Sequence, residues 1–446
     1  MTAGTPTRTR SRVRQPPARI VQAYFGVAHL ALLTALAGAV THPELLTEFY
    51  YQPRTIALVH LVTLGWITGS ILGSLYALGP LAWRVEMPAR RLDWFAFGLW
   101  TISASGVVVH FWIDEYNGMT WAAGTTLLAI LMVGWRVVPR VLTARIPAEH
   151  RQPVALAFLN ITLAGSWGVA LGLQKAGWIA IPGPPLGAVL AHAHLAALGW
   201  VLMMVFGAGY RLLPMFLPAP MPAGPSARAP VVVLESAVLL LALGLTLGWS
   251  ATTRVGALFA AAAVVLFLRQ VFLMVRSRLD LPVDMPRPDL AIPTSALAFL
   301  YLVAAALVGV GMVLADDPMV SLRLGAVYGV LGLVGFLAQF IVGIAGRLLP
   351  LAFWMQEFVR NGYAPLAVPL HRLPDRRLQV LIIVGWALGV PCLVLGVYLV
   401  QPEFVRLAAG LLLVGALGDG ANRLVVQRRA LAGPRDAASD AAPEAS

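Results

Sequence analysis

Long apolar stretches dominate the chain, and polar residues are concentrated in the segments between them. An apolar stretch of about 20 residues is the length that an α-helix needs to cross a lipid bilayer. We predict twelve such spans, at residues 20–41, 55–82, 93–113, 118–138, 153–174, 186–213, 230–250, 252–274, 291–314, 321–348, 375–399 and 404–424. The predicted fold class is therefore an all-α integral membrane protein without a soluble domain.

A longer pattern repeats within the even-numbered spans. HLVTLGWITGSILGSLYALGP starts at His60, and HLAALGWVLMMVFGAGYRLLP starts at His194. The shared positions are His60/His194, Gly65/Gly199, Trp66/Trp200, Gly73/Gly207, Tyr76/Tyr210 and Pro80/Pro214. The tenth span holds a third, weaker copy in which Val330 replaces the histidine. Self-similarity at a long period indicates a multiplied structural unit, here of four helices.

This repeat predicts three pseudo-symmetric four-helix arcs. The repeat units cover about 20–150, 151–280 and 290–428 within a membrane domain at 20–428. Residues 1–19 and 429–446 are predicted to be disordered tails, because they are polar and lack apolar periodicity.

Composition supports the membrane assignment and adds an orientation. The chain is 59% hydrophobic and 12% charged, whereas soluble domains are about 25% charged. Arginines cluster in the N-terminal segment and in alternate loops, which predicts that these regions and both termini are cytoplasmic in a bacterial-type inner membrane. The net charge of +12 is then a topology signal, and the bilayer rather than nucleic acid is the expected partner. A single cysteine, Cys392, excludes disulfides and thiolate metal sites within the chain.

Histidines are the ionisable residues that carry chemistry in these spans. His60, His192 and His194 lie at similar depth, about two helical turns from the outer ends of spans two and six. Residues two apart on a helix point about 200° apart, so His192 and His194 suit partners on opposite sides of span six. We predict a haem b between spans two and six with His60 and His194 as axial ligands. His192 would then bind a second haem or metal, or orient the first.

The residues around these histidines allow two interpretations. The histidines can instead form hydrogen bonds between helices. Gly65 and Gly199 would admit either a porphyrin or a neighbouring helix, and Trp66 and Trp200 either line the cofactor or fill the core. His110, near the outer end of span three, is a further candidate metal ligand.

Three other sets of polar residues complete the prediction. Glu235 and Arg269, in adjacent spans, are candidates for an ion pair. Tyr76 and Tyr210 are interpreted as structural residues near the membrane interface. The interior loop at 353–377 is predicted to carry a short interfacial helix.

HAHLAALGW at His192–Trp200 resembles the HxH…LGW motif with which cbb-type oxidases and nitric oxide reductases hold two b haems. His60 matches the low-spin haem ligand on helix two of subunit I of the haem–copper oxidase superfamily, which also has twelve helices in three arcs. This resemblance implies one or two b haems and electron transfer or nitric oxide or oxygen chemistry. It also implies a quinol, periplasmic cytochrome or cupredoxin as electron donor.

The chain departs from that superfamily in two respects. The family motif lies on helix ten but here on span six, and span seven lacks the histidine that helps to hold copper. Copper is therefore a candidate cofactor without a full ligand set. NnrS-type haem membrane proteins linked to nitric oxide stress are a looser resemblance. No catalytic residue is indicated, and the enzyme class that the resemblance favours is a haem oxidoreductase.

Two alternative functions stay open at this point. One is a transporter whose histidines carry protons, and the other is a haem-based sensor or assembly factor without turnover. A homo-oligomer is compatible with all of these functions.

Overall fold

The computed structural model describes residues 16–279, 290–315, 317–364 and 366–431. It has twelve helices that are long and apolar enough to cross a membrane, and no strand within those ranges, which confirms the predicted fold class. We number them α1 (Ala18–Thr41), α2 (Pro53–Leu81), α3 (Arg91–Trp112), α4 (Tyr116–Leu142), α5 (Ala148–Lys175), α6 (Gly187–Phe216), α7 (Pro225–Leu247), α8 (Ser250–Arg276), α9 (Ala291–Ala315), α10 (Met319–Arg360), α11 (Arg376–Tyr398) and α12 (Pro402–Leu431).

The helices form three sets of four that close into a ring. Neighbouring sets meet where α4 packs on α5, α8 on α9 and α12 on α1. Within each set the first helix packs on the second and the third on the fourth. The second helices, α2, α6 and α10, lie at the centre and contact one another. This is the arrangement that the internal repeat predicts.

The outer faces of the ring are apolar, as a bilayer requires. Ile102 is 75% exposed, Trp135 81% and Leu307 69%, although none of them carries charge. An apolar surface of this extent is unstable in water but is compatible with lipid. The molecule is an integral membrane protein by length, composition and outward-facing side chains.

Two ends of predicted elements differ from the structure. α10 continues to Arg360, well past the predicted end at 348, and includes Pro350. The first part of the predicted interior loop is therefore helical, and the rest carries only a short 3₁₀ helix at Leu370–Arg372. The predicted tails lie mostly outside the described residues, but α12 extends through the tail boundary to Leu431.

Each central helix contains a π-helical segment at the same position of the repeat. These segments are Leu61–Thr68 in α2, Leu195–Leu202 in α6 and Val330–Ala338 in α10. The first two begin one residue after His60 and His194. Long π-helical segments are rare and are frequently found at functional sites. The distortion belongs to the repeated unit, and two of the three units place a histidine beside it.

The repeated glycines serve packing of each central helix against the first helix of its own set. A Cβ added at Gly65 would lie 2.5 Å from Cβ of Ala31 in α1, and one at Gly199 would lie 2.7 Å from Cβ of Asn160 in α5. Gly335 in α10 is equally constrained. Small residues allow such close helix approach in membranes. Gly65 and Gly199 thus have a packing role in the structure.

Three aromatic side chains close the centre of the bundle beneath the histidines. Trp66, Trp200 and Phe336 are repeat-equivalent and at most 2% exposed, and we call them the aromatic layer. Trp66 Nε1 donates to the carbonyl of Ala338 at 3.2 Å, and Trp200 Nε1 donates to Thr68 Oγ1 at 3.3 Å. The layer therefore joins α2 to both α6 and α10.

Burial changes abruptly at this layer. On one side, residues 59–64, 196–198 and 332–334 of the central helices all retain accessible surface. From 65, 199 and 335 onward, almost every residue of these helices is buried for two turns or more. The central space is thus open in the half that contains the histidines, here called the histidine half, and closed toward the opposite, arginine-rich end.

Candidate cofactor site between the central helices

His60 and His194 are held by the same local hydrogen bond. Nδ1 of His60 donates to the carbonyl of Ile56, and Nδ1 of His194 donates to the carbonyl of Leu190, both at 2.8 Å. Each bond spans four residues along its own helix. A carbonyl oxygen can only accept, so Nδ1 carries the proton in both rings and Nε2 presents a lone pair.

His192 has the same tautomer, but its Nδ1 donates to a carbonyl of a different helix. Its Nδ1 donates to the carbonyl of Ala164 in α5 at 2.8 Å. Gly168, one turn further along α5, leaves the space that the ring occupies, because a Cβ there would lie 3.0 Å from Cε1 of His192. All three histidines therefore have a fixed tautomer in which Nε2 carries the lone pair.

His194 faces α10. Its Nε2 lies 3.3 Å from the hydroxyl oxygen of Tyr328, which is the donor, and the two rings stack with centroids 5.9 Å apart. Tyr328 is at the position two residues before Val330, where the third unit lacks its histidine. His192 stands at the equivalent position of the second unit.

The internal repeat therefore predicts a corresponding contact between His60 of α2 and His192 of α6. His194 is turned toward α10 by its contact with Tyr328, and His192 is the residue of α6 that corresponds to Tyr328 in the repeat. The repeat thus favours His60 and His192 as a facing pair, whereas the sequence analysis predicts the pair His60 and His194. Opposite faces of α6 lie toward α2 and α10, so His192 and His194 have different neighbours.

The three histidine rings are incompletely buried. His60, His192 and His194 each keep part of their surface accessible although they lie inside the bundle. Phe111 of α3 stacks on the His60 ring with centroids 5.1 Å apart. Partly accessible polar groups beside aromatic side chains are typical of the lining of cofactor pockets.

His110 does not join this group. Its Nδ1 forms an ion pair with Oε2 of Glu115 at 2.9 Å at the end of α3. The backbone N–H of Gly118 donates to the same carboxylate at 2.8 Å, and this bond is the main cause that holds the pKa of Glu115 below its usual value. His110 is occupied by a surface ion pair rather than directed at the central space.

The predicted ion pair between Glu235 and Arg269 is wrong. Oε2 of Glu235 accepts a hydrogen bond from Nδ2 of Asn160 at 2.8 Å. α5 packs against α7 at this level. The side-chain amide of Asn160 in α5 therefore reaches the carboxylate of Glu235, which was predicted to pair with Arg269 of α8. Asn160 and Glu235 therefore form a partly buried polar contact between two helices of one set.

Buried charges that the sequence reasoning missed lie outside the histidine half. Asp93 pairs with Arg136 and accepts a hydrogen bond from Tyr76 at 2.9 Å, which explains Tyr76 as a structural residue. Tyr210 donates to the carbonyl of Ala227 at 3.0 Å, also a structural role. The available signal was that these side chains are ionisable or polar within apolar helices.

The donor set suits haem better than a free metal ion. Among the described residues, no group of three or more His, Cys, Asp or Glu side chains could hold a metal ion. A copper or zinc ion needs about three or four protein ligands. Haem iron needs only one or two axial imidazoles, because the porphyrin supplies the other ligands. Two of the three imidazoles would meet the ligand requirement of a haem iron, whereas the described residues bring together no set of three ligands for copper.

No protein-family model matches this chain, and no curated protein has significant sequence similarity to it. The fold and the site define a twelve-helix integral membrane protein with a threefold internal repeat and three oriented histidines between its central helices.

Proposed function

We propose that the protein is a membrane-bound b-type haem protein in which His60 and His192 are the axial ligands of one haem. The supporting observation is the fixed tautomer of both rings, in which Nδ1 donates to a backbone carbonyl and Nε2 carries the lone pair that iron requires. A backbone carbonyl that accepts from Nδ1 is the usual partner of a metal-ligating histidine, because it orients the ring and raises its basicity.

His194 is the ligand that we propose for a second haem. The repeat gives it the position that His60 has in the first unit, but Tyr328 replaces the facing imidazole. A neutral phenol is a weak ligand for ferrous iron, so a haem held by His194 in place of the hydrogen bond to Tyr328 would keep a coordination position for a small gas. Haem supplies electron transfer when bound at the first site and binding of nitric oxide or oxygen at the second.

The direction of the site in the membrane follows from the arginine-rich loops. These loops lie at the end opposite to the histidines, and basic loops are retained in the cytoplasm. The histidine half then faces the outside of the cell membrane, and both termini are cytoplasmic. Quinol or an external cytochrome or cupredoxin is the electron donor that fits this placement.

The aromatic layer does not favour transport. A substrate path along the centre would have to pass Trp66, Trp200 and Phe336, which are all buried. The two tryptophans are also joined by hydrogen bonds to neighbouring helices. The repeats also share one orientation, whereas many transporters use inverted repeats. The aromatic layer closes the histidine half toward the arginine-rich end, and this arrangement suits a bound cofactor better than a through path.

Carbon monoxide binding tests the assignment of the two sites. In the reduced wild-type protein we expect carbon monoxide to shift the absorption of one haem component only, since an imidazole ligand is not readily displaced. Tyr328→His gives the second site the ligand pair of the first and should abolish the shift, whereas Tyr328→Phe should retain it. Retention of the shift in Tyr328→His would contradict the placement of the gas site at His194.

A further inference from the structure

A second cluster of ionisable side chains lies between α1 and α12, away from the central histidines. Nδ1 of His29 is 3.6 Å from Oδ2 of Asp419, and the same oxygen is 2.6 Å from a terminal nitrogen of Arg423. The exposed fractions of these side chains are 12%, 4% and 16%. We call these three residues the His29 cluster. No step proposed above uses it.

The repeat shows what this position requires for packing alone. His29 meets Trp66 edge to face, with centroids 6.0 Å apart and planes at 70°. In the second unit Phe158 meets Trp200 in the same way, at 5.2 Å and 65°. His29 therefore stands where the second unit has a phenylalanine, against the same member of the aromatic layer.

The partner helices extend this comparison. A Cβ added at Gly420 of α12 would lie 2.8 Å from His29 Nε2, and one at Gly134 of α4 would lie 2.7 Å from Cδ1 of Phe158. With these glycines aligned, Asp419 corresponds to Val133 and Arg423 to Val137.

The two valines are 1% and 0% exposed. The junction between the first and second units is thus built from Phe158, Val133 and Val137, without charge. A buried ion pair stabilises a fold no better than well-packed apolar residues of similar volume. Because the junction between the first and second units packs with apolar side chains at these positions, packing does not explain the charged side chains at the junction between α12 and α1.

A polar crevice connects this cluster with the arginine-rich end. It has a volume of about 20 Å³, enough for about one water molecule. Its polar lining consists of Thr294, Gln379, Asp419 and Asn422. Gln379 lies in the first turn of α11, and the crevice also touches Leu290 and Ala291 at the start of α9. Asp419 lines this crevice and is the neighbour of His29.

We propose that the His29 cluster is a proton-binding site that is loaded through this crevice from the arginine-rich face of the membrane. A proton passes from water in the crevice to Asp419 and on to His29, and it leaves by the reverse route. Arg423 stays charged and balances the carboxylate. The charged groups that interact with His29 are Asp419 and Arg423 of α12, and the residue facing it from α2 is Trp66, which does not titrate. The inference does not depend on haem.

Infrared difference spectroscopy of the full chain in lipid vesicles tests this proposal. When the pH is lowered, the wild type should gain an imidazolium band and change its carboxyl absorption. His29→Phe should remove the first signal and Asp419→Asn the second. His371→Phe, which removes an exposed histidine, is the matched control and should retain both signals of the cluster.

The triple variant His29→Phe/Asp419→Val/Arg423→Val reproduces the composition of the first junction, so we expect it to fold and to lose both signals. Identical pH difference spectra for the wild type and the folded triple variant would overturn the proposal and leave a fixed ion pair. Access is tested with Gln379→Cys in a Cys392→Ser background. A bulky thiol reagent at position 379 should slow the appearance of the cluster signals, and an unchanged rate would contradict entry through the crevice.

Discussion

Replacing His60 or His192 by alanine is expected to abolish the low-spin b-type haem signal of the purified protein. The two rings belong to neighbouring central helices, and each has its Nδ1 committed to a backbone carbonyl at 2.8 Å. Loss of either imidazole leaves iron with a single protein ligand, which converts a low-spin centre to a high-spin one. The ferrous α band and the ferric low-spin electron paramagnetic resonance signal measure this change.

Two further histidine variants make this prediction selective. His110→Ala should retain the low-spin signal, because His110 is paired with Glu115. His194→Ala should also retain it but should lose the component that reacts with carbon monoxide. The contrary pattern, in which His194→Ala removes the low-spin signal and His192→Ala does not, would restore the ligand pair His60 and His194 that the sequence predicts.

Trp66→Ala is expected to lower the free energy of unfolding by about 3–5 kcal/mol, the range for truncation of a fully buried tryptophan. Trp66 is 0% exposed, donates to the carbonyl of Ala338, and lies 5.4 Å beneath the guanidinium carbon of Arg423. The substitution leaves a cavity at the centre of the bundle and removes a contact between α2 and α10. Reversible unfolding in bicelles, compared between variant and wild type, measures the difference.

Trp135→Ala is the matched control for this variant. Trp135 is 81% exposed on the outside of the ring, so its truncation should change stability by no more than about 0.5 kcal/mol. Equal destabilisation by both substitutions would show that the aromatic layer does not hold the central helices together. If Trp66→Ala is destabilised and Trp135→Ala is not, the result supports the aromatic layer as the contact that holds the central helices together below the histidines.

The spans could be predicted from the sequence because the bilayer imposes a length and a polarity that are local properties. The repeat around His60 and His194 also predicts the central position of α2 and α6, since equivalent helices occupy equivalent places. The end of α10 was missed because the helix continues beyond the apolar stretch, through Pro350 to Arg360. Hydropathy does not distinguish such an extension from a loop.

The rotation of the central helices could not be predicted in the same way. A π-helical segment rotates the side chains that follow it relative to those that precede it. The residues of Leu195–Leu202 have no pattern that predicts such a segment. The sequence indicates that His192 and His194 point apart, but not which of them faces His60. That choice depends on how α6 packs against α2 and α10.

Buried charges were missed for a related reason. His29 and Asp419 come from the first and last helices, which meet only when the ring closes. Neither residue belongs to a motif, and each alone looks like an isolated polar side chain. The internal repeat could have indicated the cluster, since the residues equivalent to His29 and Asp419 at the other junction, Phe158 and Val133, are apolar.

A reduced-minus-oxidised optical spectrum of the purified protein, with pyridine haemochrome and metal analysis of the same sample, tests whether the protein binds haem. We expect b-type bands, one or two haems per chain, and iron without stoichiometric copper. A folded protein that is colourless and free of iron would contradict it.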